Sequence, residues 1–164
     1  MSESRILLIR LLAEIDSELK SISRREDDLR ECRKGNDNRI TMRAKASILH
    51  DFYTGVEHIF TKVASELNGG IPNTPQWHTD LLRDMCLNLE EIRPPLITVK
   101  LRDALMPFLR FRHFFRNMYG FDLDPTRIDE LVDAFPGVLE QLKSEIGSFT
   151  VWLRKMGGLS PAGG

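Results

Sequence analysis

Cysteine is scarce. Only Cys32 and Cys86 occur, far apart, with neither CxxC spacing nor a cluster of histidines beside them, which excludes a disulfide framework and a zinc site of the usual spacing. Both read as reduced thiols. Long apolar runs are lacking too: no stretch approaches the roughly 18 uncharged apolar residues of a membrane span. The opening Met1-Ser2-Glu3-Ser4-Arg5-Ile6 carries no cleavable small-residue pattern, so a cytoplasmic location is expected. Charge of one sign is not in excess either. The 23 Lys and Arg residues face 24 Asp and Glu, leaving a net charge of -1, so the whole chain is no polycation built to coat nucleic acid, and any RNA contact must be local. No segment shows the two-residue alternation of a half-buried strand, and no internal repeat is visible.

What is present is helical periodicity. The chain has 164 residues and 41% hydrophobic content, enough for one compact domain that buries roughly two-thirds of its unfolded surface. Ile6, Ile9, Leu12, Leu19, Ile22 and Leu29 recur at helical spacing and predict a first helix from Arg5 to about Lys34, stopped by Gly35-Asn36-Asp37-Asn38, since Gly and Asn tolerate the left-handed conformation that ends helices. A second helix is predicted from Arg39 to Leu67 on the stripe of Ala44, Ile48, Phe52, Val56, Ile59, Phe60 and Val63, closed by Asn68-Gly69-Gly70. Thr74 and Pro75 suit the cap and first residue of a third helix, about Gln76 to Ile92, ended by Pro94-Pro95. The fourth, about Thr98 to Met118, holds Pro107, where a kink is expected. Asp124 and Pro125 open a fifth that runs to Met156 with a bend near Pro136-Gly137. The expected architecture is all-α: an up-and-down bundle of four or five helices over residues 1–156, with 157–164 a disordered tail.

Six positive charges fall between Arg93 and Arg116, at Arg93, Lys100, Arg102, Arg110, Arg112 and Arg116, against the single acid Asp103, and form a candidate basic patch. At its end, Arg110-Phe111-Arg112-His113-Phe114-Phe115-Arg116-Asn117-Met118-Tyr119-Gly120 mixes guanidinium, imidazole and phenol groups with aromatic rings. Arginine forks match phosphate oxygens, and aromatic faces stack on unpaired bases. At about 100° per residue, Arg112, Arg116 and Tyr119 fall within about 60° of one another on one helix face, while His113 and Asn117 form a second edge four residues apart. The same segment also suits a helix whose Phe111, Phe114, Phe115 and Met118 are core and whose arginines pair with carboxylates such as Asp122 and Asp124. His50, His58 and His78 read as structural: the first two are eight residues apart, too far for a one-turn metal pair.

The segment resembles the signature of the HEPN superfamily, specifically HepT-like ribonuclease toxins, whose pattern is Arg, four residues, His, one residue, Tyr. Arg112 takes the arginine position, Asn117 the histidine position and Tyr119 the tyrosine position, so two of three match. The likeness extends through the segment Phe52 to Phe60, Trp77-His78 with Leu81-Leu82, Arg93-Pro94-Pro95-Leu96, and Phe121-Asp122-Leu123-Asp124, and so spans residues 45 to 150.

The resemblance implies a HEPN helical bundle, a homodimer whose motif helices meet across a cleft for RNA, and metal-independent RNA cleavage with no cofactor. In it Arg112 is the phosphate clamp, position 117 the acid–base site, and Arg110, His113 and Arg116 are RNA contacts. Tyr119 is the acceptor of AMP from a minimal nucleotidyltransferase antitoxin, whose added phosphate would repel RNA. Position 117 lies about 140° around an ideal helix from Arg112, so the two converge on one phosphate only if the helix frays or a second subunit contributes. An amide at 117 exchanges no proton near neutral pH, so a weak or inactive ribonuclease is expected. His113 is a second candidate for proton transfer. The alternative to a nuclease is a non-catalytic helical module that binds a nucleotidyltransferase partner or nucleotide.

Overall fold

The computed structural model describes residues 1–117 and 122–163. Five helices follow one another: α1 (Glu3–Lys34), α2 (Arg39–Leu67), α3 (Trp77–Asp84), α4 (Val99–Arg116) and α5 (Pro125–Met156). Among the described residues there is no strand, only an isolated bridge between Leu89 and Arg93, and the chain is an all-α helical bundle. No helix among these residues is long and apolar enough to cross a membrane.

Four helix starts are written locally. Ser2, Asn38, Thr98 and Asp124 each turn a side-chain oxygen onto an amide of the first turn of α1, α2, α4 and α5, satisfying donors that have no partner inside the helix. Pro125 opens α5 where its missing N–H costs nothing. Pro107 and Pro136 both lie inside their helices.

α2 is the centre of the bundle and packs against each of the other four helices. Its stripe of Phe52, Tyr53, Val56, Ile59, Phe60 and Val63 is fully buried, and Phe52 meets Phe108 of α4 and Phe135 of α5 edge-on, with ring centroids 5.3 and 4.8 Å apart. Against α1 the two backbones come very close. A Cβ added to Gly55 would lie 2.7 Å from Ile22 Cγ1, so glycine is what lets α1 seat there.

The structure departs from expectation around α3. The helix begins at Trp77, one residue late, with Gln76 and not Thr74 at the cap position; the Thr74 hydroxyl instead donates to Asp80 Oδ2 at 2.6 Å while its carbonyl accepts the Trp77 amide. It ends at Asp84 rather than near Ile92. The cause is Arg93, which is 2% exposed. Its guanidinium donates to the carbonyls of Asp84, Leu87 and Pro94 and to Asn68 Oδ1, all at 2.8–3.1 Å, and so draws the chain into a tucked loop in place of a helix. Met85, Leu96 and Ile97 of this loop are core residues. Gly35 stops α1 in an extended conformation, φ -82°, not the left-handed one expected of it; Gly69 and Gly70, at φ 79° and 141°, do use glycine's freedom. Past α5, the Leu159 amide donates to Arg154 O at 2.9 Å, and Leu159 packs partly against the core.

Candidate functional site

α4 buries Leu101, Leu105, Phe108 and Arg112 along one stripe, at steps of four, three and four residues. Arg112 therefore occupies a core position, and only 8% of its surface is exposed. A guanidinium there needs partners, because burying an unpaired charge is costly. α2 supplies them one turn apart. Arg112 Nε donates to Thr54 Oγ1 at 2.9 Å, and Nη1 lies 3.5 Å from Glu57 Oε1. Glu57 is itself buried, and its other oxygen, Oε2, is 2.7 Å from Nδ1 of His78 at the start of α3. The carboxylate thus links three helices. Tyr53 lies fully buried on the same turn of α2, its hydroxyl without a hydrogen-bond partner among the described residues. Burial first, and then the negative charge of Glu57, push that phenol well above its ordinary range, against the opposing pull of Arg112, so Tyr53 keeps its proton at neutral pH.

Over this network opens a cleft of about 390 Å³ between α3 and α4, within the size range of small-molecule sites, about 300–1,000 Å³. Met106 and Leu109 give it an apolar side; His78, Arg83, Arg110, Arg112 and His113 give it a basic one. Arg83, Arg110 and His113 are solvent-exposed. Trp77 stacks on His78 with ring centroids 3.6 Å apart, fixing the plane of the imidazole.

Of the residues singled out from the sequence, the cleft gathers Arg110, Arg112 and His113. Arg116 and Asn117 are exposed at the end of α4 and do not line it. Asn117 is the C-cap residue: its Nδ2 donates to His113 O at 2.8 Å and its amide to Phe114 O at 3.2 Å. Tyr119 lies outside the described residues. The segment's aromatics divide, with Phe111 buried and Phe114 48% exposed. The run of six charges from Arg93 to Arg116 makes no continuous patch, since Arg93 is buried in the loop and Arg102 pairs with Asp103 at 2.9 Å. Arg112 pairs with Glu57 of α2, not with a carboxylate beyond α4. Among the described residues no three of His, Cys, Asp and Glu come together as a metal site would need, and burial pushes the Cys86 thiol above its ordinary range, away from the reactive thiolate.

The cleft network also holds Glu57, Thr54 and Arg83, which the sequence does not single out, and His78, which it reads as structural. A signal existed for Glu57: extending the Leu101, Leu105, Phe108 stripe by one turn reaches Arg112, and the matching stripe Leu49, Tyr53 of α2 reaches Glu57. Opposite charges on two facing core stripes announce a buried pair.

An all-helical bundle with a basic cleft beside the end of α4 defines the class of protein. The chain matches the model of the HepT-like protein family over residues 44–153, and it belongs to that family. Every residue of the cleft network lies inside the matched region. Comparison with curated proteins and with solved structures finds no match.

Proposed function

We propose that this chain is the toxin of a toxin–antitoxin pair, a HEPN-type ribonuclease that cleaves cellular RNA such as tRNA or mRNA and is silenced by AMP transfer to Tyr119 from a nucleotidyltransferase antitoxin. The observation that carries the reading is the family match over 44–153, with the Arg112, Asn117 and Tyr119 pattern inside it. The cleft supports it physically. Thr54 and Glu57 hold the Arg112 guanidinium in place, and a charge fixed in advance stabilises a developing phosphorane better than one that must first be ordered. Arg110, His113 and Arg116 stand exposed around it as RNA contacts.

Position 117 is the weak point. Its amide transfers no proton, and in one subunit it is bonded away from the cleft, to the carbonyl of His113. A homodimer brings position 117 of one copy to the phosphate held by Arg112 of the other, and the exposed ring of Phe114 gives the α4 ends an apolar face on which to meet. The capping bond of Asn117 also favours the second reading, a non-catalytic module that binds a nucleotidyltransferase partner or nucleotide, because an amide serves well as a helix cap. Asn117→His separates the two. With tRNA or total RNA as substrate, the ribonuclease reading expects the variant to cleave about 10²- to 10⁴-fold faster than the unaltered chain, the usual contribution of a placed proton-transfer group; no cleavage by either chain favours the binding module.

The regulatory half has its own check. Co-expression with a minimal nucleotidyltransferase is expected to add the mass of one or more AMP units to Tyr119, read by mass spectrometry of the intact chain and its peptides. Label that persists in a Tyr119→Phe variant refutes that assignment.

A further inference from the structure

We propose that this chain carries a second, complete acid–base pair for RNA cleavage inside one subunit: the His78–Glu57 dyad as base and His113 as acid, on opposite walls of the α3–α4 cleft. The proposal rests on the ribonuclease reading above and names the groups that do the chemistry while position 117 holds an amide.

Three observations converge on it. His78 Nδ1 is 2.7 Å from Glu57 Oε2, and the other oxygen of Glu57 faces Arg112 Nη1 at 3.5 Å; with Nδ1 donating to Oε2, Nε2 is left with the lone pair. A carboxylate behind an imidazole fixes its tautomer and steadies the imidazolium that forms when it takes a proton. His78 is also oriented, by the stacked Trp77, and it lines the cleft. The opposite wall, from α4, presents the exposed His113 with Arg110 beside it and Arg112 below. Two imidazoles across a basic cleft are what transesterification at a ribose 2′-hydroxyl requires, because one proton must leave as another arrives.

The step balances without a further reactant. His78 Nε2 takes the proton of the 2′-hydroxyl, and O2′ forms a bond to phosphorus. The P–O5′ bond breaks as protonated His113 gives its proton to O5′. The products are a 2′,3′-cyclic phosphate and a 5′-hydroxyl. The guanidiniums of Arg110 and Arg112 offset the extra negative charge of the pentacoordinate state. The charged and titratable groups around His78 are Glu57 from α2, Arg83 on its own helix, and Arg110, Arg112 and His113 from α4.

The test uses the full chain and a short labelled RNA across pH 5–9. The expected result is measurable cleavage by the unaltered protein, a bell-shaped rate profile, and 2′,3′-cyclic phosphate ends. His78→Asn, which keeps a donor for Glu57 but removes Nε2, and His113→Gln are each expected to lower the rate about 10²-fold, with His78→Asn losing the rising limb of the profile. His58→Gln, on the exposed side of α2, is the control that retains full rate. His113 is exposed, so its variant carries the test if His78→Asn does not fold. Cleavage that survives both substitutions, or cleavage seen only in Asn117→His, overturns the dyad and leaves the ribonuclease reading standing. If neither the unaltered chain nor Asn117→His cuts any RNA, both fall.

Discussion

Arg112→Ala is expected to lower the unfolding free energy by about 3–5 kcal/mol, the range measured when one member of a buried ion pair is removed, and to abolish RNA binding in the cleft. The size follows from what remains. Glu57 stays buried with half of its partners gone, and an orphaned buried charge costs more than the lost attraction itself. His78 still bonds its other oxygen, which places the expected loss toward the lower end of that range. A urea titration at neutral pH supplies the number. The double variant Arg112→Gln with Glu57→Gln separates the two roles of the arginine: the shorter amide at 112 ends where Nε now meets Thr54, and no buried charge is left unpaired, so it is expected to recover part of the stability and none of the RNA affinity. Full stability in Arg112→Ala alone would mean that the pair is not buried as described.

The second large effect belongs to Arg93. Arg93→Ala removes donors from three backbone carbonyls and Asn68 Oδ1 at once, and each buried acceptor left without a partner costs about 1–3 kcal/mol. Even with partial access of water to the loop, a loss of about 3 kcal/mol or more is expected in thermal or denaturant unfolding, with early proteolysis between residues 85 and 98. Arg93→Lys is expected to fail as a rescue, because one ammonium cannot reach acceptors spread around a planar fork. A lysine variant of unaltered stability would show that the charge, not the fork, holds the loop.

These two arginines also mark where the sequence stops being legible. α1, α2, α4 and α5 could be read nearly to the residue, because periodicity and caps are local: Asn38, Thr98 and Asp124 act on amides two or three residues away. The end of α3 could not, since it is decided by a side chain nine residues further on that bonds back to Asp84 and across to α2. The site divides in the same way. The Arg110 to Asn117 segment stands out by composition, and the placement of Arg110, Arg112 and His113 in one cleft follows from a single helix. Glu57 and His78 come from two other elements, and only helix packing brings them to Arg112. His50 and His58 look no different from His78 in the sequence; what distinguishes His78 is the buried carboxylate opposite it.

The region that identifies the family begins at residue 44, and α1 lies wholly before it. Yet Gly55, inside that region, is shaped to receive Ile22, and Leu11, Leu12, Ile15, Ile22 and Leu29 are buried only because α1 lies along its neighbours. Five aliphatic side chains at roughly 1.5–3 kcal/mol each are comparable with the whole net stability of an ordinary domain, about 5–15 kcal/mol. Residues 44–153 alone therefore forgo burial as large as the net stability of a domain. Excised from the leading helix they would present a greasy trough along α2, and the natural fate of such a fragment is to clump with others of its kind rather than to fold.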